Sequence, residues 1–231
     1  MTAGTPPKPA RRVVRSFVLR AGRITVAQRR ALEELWPRYG IGYRPEPLDL
    51  DAAFGRHAPR ILEIGFGDGE LLAAMARRDP ATDFLGIEVH EPGIGHCLLL
   101  IEKLALGNLR LIRHDAVEVL RQQIPDARLQ GVNLFFPDPW PKKRHHKRRI
   151  VQPEFARLVA ARLAPGGRFH VATDWAPYGE HIDAVMAAER AFERLPAAAA
   201  SREPTKFERR GERLGHEVFE HLWRRCTGRH G

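Results

Sequence analysis

An α/β fold built on a mostly parallel, doubly wound sheet is predicted by three features of the sequence. Short apolar runs at 61–64, 84–89, 109–112, 132–136 and 168–172 alternate with stretches of helical periodicity. A glycine-rich turn, Gly65-Phe66-Gly67-Asp68-Gly69, follows the first run. A late apolar stretch at 217–225 comes after the alternation has ended and reads as an antiparallel edge strand. Strand–helix alternation implies crossover connections, and so a parallel sheet covered on both faces. In such sheets ligands bind in the crevice beyond the carboxyl ends of the strands.

Taken in chain order, residues 1–10 carry Pro6, Pro7 and Pro9 and read as a flexible tail. Residues 11–45 form a basic arm with a short helix over 24–38 that Pro37 should stop. Helices are expected at 70–77, 91–106, 116–123, 153–163 and 177–195, each between two strand candidates or just after the last of the parallel ones. Beyond Leu195 come an alanine run and a polar loop from Ser201 to Gly211. No internal repeat or second core is visible, so 46–231 is expected to be one domain.

With 231 residues the chain can bury a real core, and its net charge of +10 favours a polyanionic partner, nucleic acid before membrane. No acidic residue precedes Glu33, whereas Lys8, Arg11, Arg12, Arg15, Arg20, Arg23, Arg29 and Arg30 do. Cys97 and Cys226 are too few for a disulfide framework and lack CxxC partners, which suits a reducing, cytoplasmic setting. No apolar run has the length of a membrane span, and no signal-peptide core is present. Neither the His90, His96 and Cys97 group nor the His145-His146 pair has zinc spacing.

The densest chemical information lies at 135–149, Phe-Phe-Pro-Asp-Pro-Trp-Pro-Lys-Lys-Arg-His-His-Lys-Arg-Arg. A strand empties into a proline-fixed loop carrying one carboxylate, Asp138, and a cationic run follows at once. Lys142, Lys143, Arg144, Lys147, Arg148 and Arg149, with His145 and His146, offer charge and donors to a phosphate backbone. An acid held rigidly beside a phosphate-binding surface points to chemistry on a nucleic-acid base, against the plainer alternative of a solvated charge run.

The glycine turn suggests what the second ligand is. A dinucleotide site wants G-x-G-x-x-G, but Glu70 follows Gly69, and a carboxylate there opposes a pyrophosphate. Gly65 and Gly67, with Glu63 just upstream, suit a ligand that lacks phosphates and carries a sulfonium and an ammonium, namely S-adenosylmethionine. Glu88, about twenty residues on at the second strand's end, stands where ribose hydroxyls are usually taken by an acid. His114-Asp115-Ala116, ending the third strand, is placed to meet an adenine edge.

With these motifs in view, the chain resembles the bacterial tRNA (guanine-N7)-methyltransferases over roughly residues 12–225. The resemblance is carried by Ser16-Phe17-Val18-Leu19-Arg20, by residues 31–40, by Leu62-Glu63-Ile64-Gly65-Phe66-Gly67 and by Gly86-Ile87-Glu88-Val89-His90. More specific are Phe135-Phe136-Pro137-Asp138-Pro139-Trp140, Ala172-Thr173-Asp174-Trp175 and Thr205-Lys206-Phe207-Glu208-Arg209-Arg210-Gly211. The resemblance implies a Rossmann-like class I methyltransferase fold, S-adenosylmethionine as cofactor and a guanine in the tRNA variable loop as target; no obligatory protein partner is inferred. It implies that Glu63, Glu88 and Asp115 bind the cofactor and that Asp138 is the active-site acid. Lys142, Asp174, Thr205, Lys206, Phe207 and Glu208 are implied as substrate contacts. Pro141 departs from the family pattern, which leads one to expect a polar residue there.

Guanine N7 has a free lone pair and no proton, so its methylation needs positioning and no general base. Asp138 can accept hydrogen bonds from guanine N1–H and the N2 amine, with Asp174 as a second acid. Trp140 and Trp175 are candidates for stacking on the base, or else for core packing. Two other functions stay open on the residues: methylation of an exocyclic amine, which Asp138-Pro139-Trp140 imperfectly echoes, and RNA binding without turnover.

Overall fold

The computed structural model describes residues 16–17, 22–196, 208 and 217–227. Helices α1 (Val26–Glu34) and α2 (Trp36–Tyr39) lead into strand β1 (Gly40–Ile41) and helix α3 (Leu50–Phe54). Then β2 (Arg60–Ile64), α4 (Glu70–Arg78), β3 (Asp83–Glu88), α5 (Glu91–Leu104), β4 (Leu109–Arg113), α6 (Ala116–Gln122) and β5 (Leu129–Phe135) alternate. A 3-10 helix, Lys143–Arg148, precedes α7 (Pro153–Arg162), β6 (Leu163–Thr173), α8 (Ala176–Ala187), β7 (Phe192–Leu195) and β8 (Phe219–Arg225).

Local chemistry accounts for most helix starts. Thr25 and Gln28 form a reciprocal capping box at α1, and the side chains of Asp49 and Asp115 cap α3 and α6. Proline occupies the first turn of α2, α5, α7 and α8, where its missing N–H costs nothing. Pro37 was expected to stop a helix over 24–38. Instead α1 ends at Glu34, and Pro37 sits in the first turn of α2.

The eight strands lie in the order β1-β4-β3-β2-β5-β6-β8-β7. Neighbours are parallel from β1 through β6, while β8 runs antiparallel to both β6 and β7. The late strand is therefore antiparallel as expected but is not an edge, because β7 covers its outer side. The apolar stripe of α8, Tyr178, Ile182 and Met186, recurs every four residues, and its next position is Arg190. Burial ends there, the helix stops short of the expected 195, and Phe192–Leu195 pairs with β8.

Two apolar clusters sandwich the sheet. One, including Val119, Phe155, Phe169, Ile182 and Trp223, lies under α6, α7 and α8. The other, including Ala31, Leu72, Ile94, Leu98 and Ile101, lies under α1, α4 and α5. Every residue of β3 is buried, as a strand covered on both faces must be. The chain leaves β2 toward β3 and β4 on one side and continues from β5 to β6 on the other, so the topological switch point falls between β2 and β5. Among the described residues no helix is long and apolar enough to cross a membrane.

Candidate active site

At that switch point the turn after β2 is shaped by its glycines. Gly65 and Gly67 adopt φ of 69° and 61°, and a Cβ on either would project into open space. The left-handed backbone and the empty space together leave room for a ligand to lie on the turn. Gly69 does something else: a Cβ there would meet Cys97 Sγ at 2.5 Å, so it seats the turn on α5.

Glu88, only 9 % exposed at the end of β3, ties the turn to its own strand. Its carboxylate accepts from the backbone N–H groups of Gly67 at 3.0 Å, Val89 at 2.6 Å and His90 at 3.0 Å. Glu63 is buried beneath the turn. Burial, and then the negative charges of Glu63 and Asp68, push the Cys97 thiol far above its usual pKa.

A cavity of about 370 Å³ opens from this turn and reaches the loop after β5. Gly65, Glu88, His114 and Ala116 line one part of it, and Phe136, Pro137 and Asp138 another. Ser16 and Phe17 also border it, although nothing in their sequence besides the family motif signals such a place. Asp138 itself is exposed. Phe136 and Trp140 have φ of 51° and 46°, left-handed values for non-glycine residues, and each precedes a proline. Such conformations cost roughly 1–3 kcal/mol apiece and persist only where surrounding contacts hold them.

Those contacts come from residues expected to meet RNA. Arg149 is 3 % exposed, donating from Nε to the Pro139 carbonyl at 2.9 Å and from Nη1 to that of Pro177 at 3.4 Å, with its guanidinium over the Tyr178 ring. It is a fastener of the loop and cannot serve as a phosphate contact, which corrects the sequence expectation. Trp140 is likewise engaged: Nε1 donates to the Ser16 carbonyl at 3.2 Å, Arg148 lies over the ring and His145 meets it edge-on. Of the two tryptophans, Trp175, 41 % exposed just beyond β6, is the one that keeps a surface for stacking.

The 3-10 helix sorts the remaining cations. Residues three apart share a face of such a helix. His145 and Arg148 therefore both reach Trp140, while His146 turns toward Arg149, with 3.2 Å between Nε2 and Nη2. Lys142, Lys143, Arg144 and Lys147 are exposed, and among the described residues no ion pair to a carboxylate occupies them. Partial burial, and then the charges of Arg144, Arg148, Lys142 and Lys147, lower the His145 pKa and favour its neutral form.

The other expected residues are distributed as follows. Asp115 caps α6, accepting from Val117 N–H at 2.9 Å, and borders a neighbouring cleft between α6 and the 3-10 helix. Asp174 is exposed beside Trp175, and Glu208 is buried. Thr205, Lys206 and Phe207 lie outside the described residues.

A family model described as "Putative methyltransferase" matches residues 57–221. A tRNA (guanine-N(7)-)-methyltransferase of Alkalilimnicola ehrlichii is 58 % identical over 222 residues, covering 93 % of this chain and 94 % of the relative. The chain belongs to the tRNA (guanine-N7)-methyltransferase family. Members from Halorhodospira halophila and Cronobacter sakazakii are 53 % and 54 % identical, covering 92 % and 94 % of this chain and 95 % and 93 % of their own. Solved structures share the family's fold at lower identity. The 16S rRNA methyltransferase KamB superposes with a TM-score of 0.54 at 18 % identity, over 81 % of this chain and 99 % of that one. The aminoglycoside resistance methyltransferase NpmB1 also gives 0.54, at 16 % identity, over 77 % and 92 %.

Proposed function

We propose that this enzyme transfers a methyl group from S-adenosylmethionine to N7 of a guanine in the variable loop of tRNA. One observation carries the site assignment: an exposed carboxylate, Asp138, borders the same cavity as the Gly65–Gly67 turn, on a loop fastened by Arg149 and Trp140. The cradle suits the cofactor, since Gly65 and Gly67 leave open space where a side chain would stand. Glu88, Glu63, Asp115 and the backbone of Ala116 are the residues to hold it. S-adenosylmethionine supplies an electrophilic methyl on a sulfonium.

The protein's part is orientation. Asp138 accepts from guanine N1–H and the N2 amine, which adenine cannot offer, and so turns N7 toward the methyl. As the ring gains positive charge, Asp138 and Asp174 stabilise it. Trp175 offers a stacking face, and Lys142 with the outward cations of the 3-10 helix holds the phosphates. Thr205, Lys206, Phe207 and Glu208 complete the substrate side. The partner is tRNA, without an obligatory protein subunit, and the setting the cytoplasm.

The test is methyl transfer from labelled S-adenosylmethionine to tRNA, followed by nucleoside mass spectrometry. 7-Methylguanosine is the expected product. A methyl on an exocyclic amine, or no transfer, would overturn the proposal.

A further inference from the structure

Tyr43 and His114 stack with centroids 3.6 Å apart and planes within 9°, closer than any other ring pair among the described residues. The cause is strand register. In the parallel β1–β4 pair Gly40 faces Leu111 and Ile41 faces Ile112, and continuing that register brings Tyr43 level with His114 just beyond the strand ends. Both rings are then pinned to one helix. His114 Nε2 lies 2.5 Å from Glu118 Oε2, and the Tyr43 hydroxyl donates to Gln122 Oε1 at 2.9 Å. Glu118 and Gln122 are four residues apart on α6 and share a face. Despite these contacts the His114 side chain stays 29 % exposed, and it lines the cavity described above with Glu88, Val89, His90 and Ala116.

A flat heteroaromatic ring, clamped behind and at its edge, beside the acid assigned to the ribose, is suited to a flat heteroaromatic ligand. The backing ring comes from the loop after β1, at the far end of the sheet from β7. We infer that the Tyr43–His114 stack is the nucleoside wall of the cavity, with His114 touching the adenosine part of S-adenosylmethionine and Tyr43 positioning His114 from behind. The inference rests on the proposed cofactor reading of the cavity.

Calorimetry on the full chain with S-adenosylhomocysteine and with 5′-methylthioadenosine, which lacks the amino-acid end, tests it without turnover. His114→Ala should weaken both ligands by the same factor, roughly fivefold to a hundredfold, as expected when a stacking partner of a base is removed. His114→Phe keeps a flat ring and should retain most of the affinity. Tyr43→Leu should weaken both ligands by a smaller factor, and Tyr43→Phe, which keeps the stack, should restore them. Thermal melts of each variant separate lost binding from lost folding. If the parent binds neither ligand, the cofactor reading fails and this inference with it. If the parent binds both and His114→Ala binds them as tightly, or if His114→Ala loses S-adenosylhomocysteine but not 5′-methylthioadenosine, the nucleoside wall alone is overturned.

Discussion

Glu88 at the carboxyl end of β3 and Asp138 just beyond that of β5 border one cavity, yet the first is almost sealed and the second lies in solvent. Around Glu88 the site is made of backbone: the N–H groups of Gly67, Val89 and His90 converge on the carboxylate, and Gly65 and Gly67 turn in left-handed conformations. Around Asp138 it is made of side chains, with Arg149, Trp140 and Tyr178 fastening a loop whose outer face is left free. On the proposed function, the difference follows the size of the ligand. A small cofactor can be enclosed by a preformed turn, whereas a folded RNA must bring its base to an open acid on a rigid platform.

Swapping charge at the open acid should have the largest effect. Asp138→Asn keeps an acceptor but loses the charge, so turnover should fall by about tenfold to a thousandfold while S-adenosylhomocysteine affinity stays near that of the parent. Single-turnover kinetics and calorimetry read the two quantities separately, and parental rates would remove Asp138 from its role.

At the sealed acid the pattern reverses. Glu88→Ala removes a charged hydrogen-bonding group worth about 1.5–3 kcal/mol and also frees the Gly67 N–H. Cofactor binding should weaken by roughly ten- to a hundredfold with tRNA affinity unchanged. Equal loss of both ligands would show that the two regions are not separable.

The cationic run sharpens the contrast within the RNA side. Replacing Lys143, Arg144 and Lys147 together by Ala should flatten the plot of log tRNA affinity against log salt by about two to three units. Arg149→Ala should leave that slope alone and instead lower the melting temperature, because the carbonyls of Pro139 and Pro177 lose a charged donor that is itself buried. A slope change in Arg149→Ala would return that residue to the phosphate contacts. Smallest of all, Trp140→Phe keeps the ring but loses the Ser16 bond, a difference of about 0.5–1.5 kcal/mol. It should show as a threefold to tenfold drop in catalytic efficiency, and an unchanged efficiency would make that bond incidental.

Much of this molecule was legible before folding. The five parallel strands predicted from apolar runs are all present, with ends shifted by a few residues, and the turn after β2 adopts the positive φ that its glycines permit. Apolar period and glycine placement are local, so neighbouring residues suffice to read them. The site residues divide on the same principle. Asp138 could be located on its loop from the prolines beside it, but whether Arg149 faces RNA or the protein depends on carbonyls of Pro139 and Pro177, the second of them 28 residues away.

What the sequence by itself determined, then, is the alternation of strand and helix, the shape of the turn, the excess of positive charge and the family. Only the tertiary structure decided which cations remain outside, since a three-residue helical repeat turns His145 and Arg148 onto Trp140 and leaves Arg144 and Lys147 in solvent. Only it placed β8 inside the sheet and set Tyr43 behind His114. Those outcomes come from pairing between strands far apart in the chain, where register is settled by the packing of both partners and leaves no mark on either segment alone.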